Sequence, residues 1–301
     1  MEGYLIAISI SVLIYLLMAS GLALQYGFTG LVNFGHVGFF AIGSYTSALL
    51  ALKGVPIPVS LAAATALAAL AAYPLGMVSL RLGGDYLAIV TLGFSEAVRM
   101  TLQTEEWLTR GMHGLPGIPR LFAGWVDPKM IDLCIFLLLL AVCAAVFLLI
   151  HHIIRSPFGR VIEAIRDNEV AVRALGKNPA QFKTRSLMIG AGIAGLAGGL
   201  QAHYLTFISP EQYVPLITFY IWIALVLGGV GSLRGVIIGT VLLVGFLEGS
   251  RFLRDIFTGV SEVQLASVRI WIIGMALICV VLYRPQGLFG KSSGKSARGS
   301  N

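Results

Sequence analysis

Five ionisable side chains stand inside otherwise apolar stretches of this 301-residue chain: His36, His203, Asp85, Glu96 and Arg99. At membrane depth such groups are costly and mark functional candidates. Neither histidine has a carboxylate three or four residues away. Each is read either as a hydrogen-bonded helix–helix contact or as a group lining a pathway. Glu96 and Arg99 are i,i+3 neighbours that pair on a helix, as a structural pair near one interface or as a gate. His151 and His152 end an apolar run and read as interfacial. Cys134, Cys143 and Cys279 lie in apolar runs without a CxxC or a histidine at ligand spacing, so they read as packed thiols rather than a disulfide or metal site. The run Gly290 to Ser296, GKSSGKS, has Phe289 where a phosphate loop needs glycine, and no strand is predicted before it. In GGVGSLRG, Gly228 to Gly235, the third glycine falls one residue late for a dinucleotide fingerprint. No Ser/His/Asp or paired-carboxylate constellation appears. The sequence predicts no enzyme, no cofactor or metal bound by this chain, and no nucleic-acid partner.

The elements that must position these residues are apolar. The chain is 57% hydrophobic and 12% charged, with a mean hydropathy of +0.88, whereas soluble domains carry about 25% charged residues. This composition predicts an all-α, polytopic transmembrane helical bundle. With about 20 residues per crossing, about nine spans are expected, with a range of roughly eight to ten. They fall at 4–26, 31–52, 56–80, 85–103, 129–153, 184–207, 214–231, 235–250 and 265–284. The first is not read as a cleavable signal, because Glu2 stands in place of a basic leader. Residues 1–290 are expected to form one membrane domain, and 291–301 a basic, disordered tail beside anionic lipid headgroups. Placing 156–179 and the tail in the cytoplasm puts thirteen basic and four acidic residues there, against eight basic and ten acidic elsewhere. That asymmetry is the positive-inside pattern. It sets the C-terminus inside and, for an odd number of spans, the N-terminus outside.

Two glycine-rich stretches, Gly27 to Tyr45 and Gly228 to Gly235, interrupt the spans. Glycine there permits either close helix approach or broken helices lining a pathway near the midplane. In the second case spans 1–4 and 6–9 would be inverted repeats joined by the fifth. The candidate pathway or gating residues are Asn33, Gly35, His36, Gly38, Gly43, Thr91, Glu96, Gly228, Gly229 and Gly231.

The central segment, Ser156 to Pro179, is polar and helical in pattern. Pro157 opens it, Gly176 closes it and Pro179 follows, which predicts a helix. Val161, Ile165, Val172 and Leu175 give partial apolar periodicity, and Glu169 and Arg173 sit at the supportive i,i+4 spacing. Surface-lying helices usually carry Trp or Phe opposite Lys. This one mixes acids, bases and small residues, which suits docking into a cleft of a soluble partner. The loop 104–128 is the longest on the opposite side. Its Gly, Pro and Trp content predicts turns and interfacial anchoring.

These motifs together resemble the membrane permease subunits of branched-chain amino-acid ABC importers, a family that also serves urea and short-chain amides. The resemblance covers nearly the whole chain. It rests on GLVNFGHVGFFAIGSYTSALL (30–50), RLGGDYLAIVTLGFSEAVR (81–99) with LTRGMHGLPGIP (108–119), the segment 156–179, LGGVGSLRG (227–235) and YRPQGLFG (283–290). The 81–119 block is similar to the longer of two paralogous permeases, although Asn33-Phe34 before Gly35-His36 is also similar to the shorter one. The loop pattern EAAxxxG is approximated by Glu169, Ala171 and Gly176, with Val170 in place of an alanine and the glycine one residue late.

The resemblance implies a translocation-pathway subunit in a bacterial or archaeal cytoplasmic (inner) membrane. It implies as partners a sister permease, two ATP-binding subunits that bind the ATP and Mg, an extracytoplasmic substrate-binding protein, and membrane lipid. The ATPase-coupling residues would be Glu163, Ala164, Arg166, Glu169, Ala171, Arg173 and Gly176. The competing class is an ion-coupled secondary amino-acid transporter, which would need a carboxylate at the midplane. Asp85 and Glu96 lie nearer the predicted span ends.

Overall fold

The computed structural model describes residues 2–79, 84–249, Ser267, Val268, Trp271, Ile272, Gly274, Met275, Ile278, Leu282 and Gly287–Phe289. The predicted ninth span as a whole, the tail 291–301, Arg81 and Cys279 lie outside the described residues, as does the side chain of Asp85. The described chain is helical. In order, α1 is Glu2–Leu22, α2 His36–Leu52, α3 Ile57–Ser79, α4 Gly84–Thr104, α5 Glu106–Thr109, α6 Ile131–Arg155, α7 Pro157–Asp167, α8 Glu169–Ala174, α9 Pro179–Leu205, α10 Leu216–Gly228 and α11 Leu233–Gly249. Among the described residues, four stretches are long and apolar enough to cross a membrane: Gly3–Phe28, Ile57–Met77, Ile131–Arg155 and Pro210–Gly228. The predicted second span begins later than expected, at His36, because residues 29–35 leave the helical path.

Helix α9 is the hub. Its buried face is built from Gly190, Ala191, Gly192, Ala194, Gly195, Ala197, Gly198 and Gly199, so neighbouring backbones come within contact. A methyl at Gly190 would sit 2.6 Å from the Gly21 carbonyl of α1, and one at Gly195 would sit 2.9 Å from the Ala64 carbonyl of α3. Gly43 of α2 packs directly on Gly195, and Gly198 on the Phe40 carbonyl. Small residues at such crossings are what helix association in lipid requires, since apolar burial alone supplies no drive there.

The ends of the helices sort into two groups. At one end, the strand Leu115–Pro116 (β1) pairs antiparallel with Phe207–Ile208 (β2), and His203 Nδ1 bonds to the Pro119 carbonyl at 2.8 Å. The loop 104–128 is thereby fastened to the C-terminal end of α9. At the other end, α7 meets the breaks at 27–35 and 228–235 through Arg166. Loops assigned to one side by charge thus touch each other.

The central segment differs from the single predicted helix. It forms two helices, because Asn168 adopts extended backbone (φ −157°, ψ 96°) and its side chain accepts from the Ala171 N–H at 3.0 Å. Asn168 is an N-cap, and it starts a second helix rather than continuing the first. Caps also set the other boundaries: Ser156 accepts from Gly159 N and Asn178 from Ala180 N, each followed by proline at the first helical position.

Candidate functional site

The first break in the membrane helices is built around two amides. Helix α1 runs into a π-helical stretch, Ala23–Phe28, a geometry that recurs at functional sites. The chain then turns through Gly30, at φ +74°, and re-enters α2 at His36. Gln25 and Asn33, both wholly buried, hold this non-helical run. Asn33 Nδ2 donates to Gln25 Oε1 at 2.8 Å, and Gln25 Nε2 donates to the Leu187 carbonyl of α9 at 3.0 Å. Asn33 Oδ1 accepts from Gly35 N at 2.9 Å. Trp222 of α10 donates to the Asn33 carbonyl at 3.0 Å. Two hydroxyls accept from the freed backbone: Thr91 from Phe34 N at 3.1 Å and Thr218 from Val37 N at 3.0 Å. Thr29 and Ser186 share a bond of 2.6 Å. Irregular backbone survives inside a membrane protein only where its polar groups are satisfied in this way. Phe34 stacks on Phe219, with ring centroids 5.2 Å apart.

Of the predicted pathway residues, Asn33, Gly35, His36 and Thr91 meet at this break and Gly231 lies against Gly27, whereas Gly43 packs on α9 and Glu96 pairs within α4. His36 Nε2 bonds to the Met18 carbonyl at 3.1 Å, and its Nδ1 has no hydrogen-bond partner among the described residues. Gly35 packs on the Thr91 carbonyl, and a methyl at Gly38 would sit 2.9 Å from Ser95 Cα. Glu96 accepts from Arg99 at 2.6 and 2.9 Å, so the predicted i,i+3 pair is formed. The second glycine stretch lies alongside the first: a methyl at Gly27 would sit 3.1 Å from Gly231 N. Gly228 packs on Gly235, and Gly229 lies against Gly287. Leu288 N and Phe289 N donate to the Leu227 and Gly228 carbonyls, each at 2.9 Å. Two motifs remote in sequence are therefore one structural unit.

The central segment presents one face and buries another. Ile162, Ile165 and Val172 are buried, while Ala164, Ala171, Arg173, Ala174 and Gly176 are exposed. Leu175 of the predicted apolar stripe turns outward, 81% exposed, beside Val170 at 75%. The break at Asn168 rotates the second helix relative to the first and so displaces the stripe. Glu169 holds Arg173 at 3.1 Å and also Lys183 of α9 at 2.5 Å, which ties α8 to the hub helix. Arg166, whose side chain is 37% exposed, reaches across and donates from Nη1 to the Gly27 carbonyl at 2.5 Å. Sequence reasoning passed over Gln25, Ser186, Thr218, Trp222 and Lys183, along with the α9 glycines. A glutamine beside a glycine-rich break was the one signal that pointed to them.

The described chain is a helical bundle with membrane-length apolar helices, a broken first helix and a charged central segment, as a polytopic membrane protein has. Residues 4–281 match the family model described as the branched-chain amino acid transport system / permease component, and the chain belongs to that family. It is 38% identical over 301 residues to the high-affinity branched-chain amino acid transport system permease protein LivM of Escherichia coli (strain K12), which covers 92% of this chain and 68% of that protein. A probable branched-chain amino acid transport permease protein LivM of Methanocaldococcus jannaschii is 26% identical, over 91% of this chain and 90% of that protein. LivH of E. coli (strain K12) is also 26% identical, over 92% and 91%. Within one organism the chain is thus nearer to LivM than to LivH, and it is of the LivM type. No solved structure matches the chain.

Proposed function

We propose that this chain is the translocation-pathway subunit of an ATP-driven importer for branched-chain or other amino acids. LivM and LivH of E. coli are both named as permease proteins of a high-affinity branched-chain amino acid transport system, and by that likeness the partner across the pathway is a sister permease. Two ATP-binding subunits bind ATP and Mg and dock on the α8 part of 156–179, with Arg160 and Arg166 of α7 outside the docking contact, and an extracytoplasmic binding protein delivers the solute. Closure of the ATPases on ATP displaces the central segment and drives alternating access. The chain crosses a cytoplasmic membrane about nine times, at about 20 residues per crossing, with its C-terminus in the cytoplasm.

The observation that carries this reading is the exposed surface of α8. Val170, Ala171, Ala174 and Leu175 face outward on a helix fixed to the hub by the Glu169–Lys183 pair. A small-residue apolar face on a braced helix suits a cleft of a soluble partner. The reading is tested in proteoliposomes containing both permeases and the ATPases. Amino-acid uptake is expected to require ATP and the loaded binding protein. Uptake driven by an ion gradient without ATP would establish the secondary-transporter alternative instead.

A further inference from the structure

Three separate parts of the chain converge on one guanidinium. Arg166 closes the last turn of α7, beside the Asn168 break. Its Nη1 donates to the Gly27 carbonyl in the π-helical end of the first span, at 2.5 Å. A methyl at Gly231 would sit 3.2 Å from the same nitrogen, and one at Gly30 would sit 3.0 Å from Arg166 Cγ. Gly30 and Gly231 both have left-handed backbone, at φ +74° and +82°, where side chains are disfavoured. Among the described residues the remaining nitrogens reach only Asp167, at 3.4 Å, which is weak geometry. The Gly27 carbonyl is therefore the strong partner of this charge. Ile162 and Ile165 anchor α7 on its buried side, so the segment and the guanidinium move together.

We propose that Arg166 is a positioning residue that pins the central segment to both glycine-broken stretches at once. It occupies the notch left by Gly30 and Gly231 and fastens the carbonyl that the π-helix offers. A displacement of α7 and α8 is then transmitted to residues 27–35 and 228–235 together, and through Asn33 and Trp222 to the buried amide network. Without the pin, the ATPases still dock and hydrolyse, but their motion is not passed to the break. This rests on the ATP-driven reading above. The docking face of α8 and the transmitting contact of α7 are distinct parts of one segment.

The test uses the assembled complex carrying Arg166→Ala, Arg166→Lys or Arg160→Ala. Arg160 is an exposed cation on the same helix and controls for charge alone. Arg166→Ala is expected to keep its ATPases and their basal hydrolysis. Its uptake per ATP hydrolysed falls about tenfold, the scale of one lost charge-assisted hydrogen bond. Arg166→Lys retains a single donor and recovers part of the ratio, and Arg160→Ala leaves it unchanged. Hydrogen exchange on the same complexes is expected to rise in both 26–33 and 229–233 for the alanine variant alone. An unchanged uptake ratio, exchange that rises in neither stretch or in only one, or an equal effect of Arg160→Ala would overturn the pin. A wild-type complex without ATP-dependent uptake would defeat the functional reading. In that case the exchange pattern still decides whether Arg166 holds the two stretches.

Discussion

Asn33 shows how one side chain supports a break that the bilayer would otherwise forbid. It satisfies Gln25 Oε1 and Gly35 N together, and both are out of reach of water. Truncation to alanine strands both groups, at about 1–3 kcal/mol for each buried unsatisfied partner. The Asn33→Ala protein is expected to melt at lower temperature in detergent than wild type. Asn33→Asp, which keeps the acceptor for Gly35 N but loses the donor to Gln25, is expected to be destabilised as well. Gly38 makes the complementary point about space. Gly38→Leu forces a side chain against Ser95 Cα, where even a methyl would come to 2.9 Å, and overpacking costs about 1–3 kcal/mol. Wild-type uptake and melting by Gly38→Leu would show that the α2–α4 contact is dispensable. Asn33, His36 and the glycines were legible in sequence because polar or small residues stand out in an apolar run. Among their partners Thr91 was also a sequence candidate, but Thr218 and Ser186 look like ordinary helix hydroxyls until the chain folds.

The helices were legible where caps and composition agree. Ser156-Pro157 opens α7 as its residue types require, whereas Asn178-Pro179 opens α9 five residues before the predicted 184–207 span, because the proline reads equally well as the end of the segment before it. The break at Asn168 was not legible, because Pro157 and Gly176 bracket a span of helical length and partial periodicity reads through the asparagine. Its capping bond to Ala171 N decides the matter locally. Asn168→Ala removes that cap, at a cost of about 1 kcal/mol, and favours one continuous helix that redirects Val170 and Leu175. Lower ATPase affinity with unchanged permease folding is the expected result, read by co-purification. Ala171→Trp tests the same element by bulk. Ala171 is exposed, so the tryptophan leaves the fold intact while obstructing a cleft that receives α8. Retained ATPases and ligand-stimulated hydrolysis in Ala171→Trp would show that docking uses another face. The α9 glycines were readable as small residues, but their three-way contact with α1, α2 and α3 is a property of the assembled bundle.

At the scale of the molecule, charge and contact agree on two sides. The basic excess assigns 156–179 and 228–235 to the cytoplasm and 104–128 to the outside. Independently, α7 touches the 27–35 and 228–235 breaks through Arg166, while β1 in the outer loop pairs with β2 beyond the far end of α9. A bundle whose loops met across these groups would contradict the charge rule, and none of the contacts described here does so. The described contacts group the same loops that summed charge groups, and labelling assigns each group its side. The number of crossings was harder to read in the sequence, because α2 and α11 are only 17 residues each and 29–35 belongs to no helix. The arrangement predicts opposite labelling of two exposed positions, Trp107 and Lys177. In intact cells, a membrane-impermeant thiol reagent is expected to label Trp107→Cys directly and Lys177→Cys only after the membrane is opened. The background is removed by replacing Cys134, Cys143 and Cys279 with alanine in the parent chain. Labelling of Lys177→Cys in sealed cells would invert the topology. It would place the central segment out of reach of any cytoplasmic ATPase, and both the docking face of α8 and the Arg166 pin would lose their driving partner.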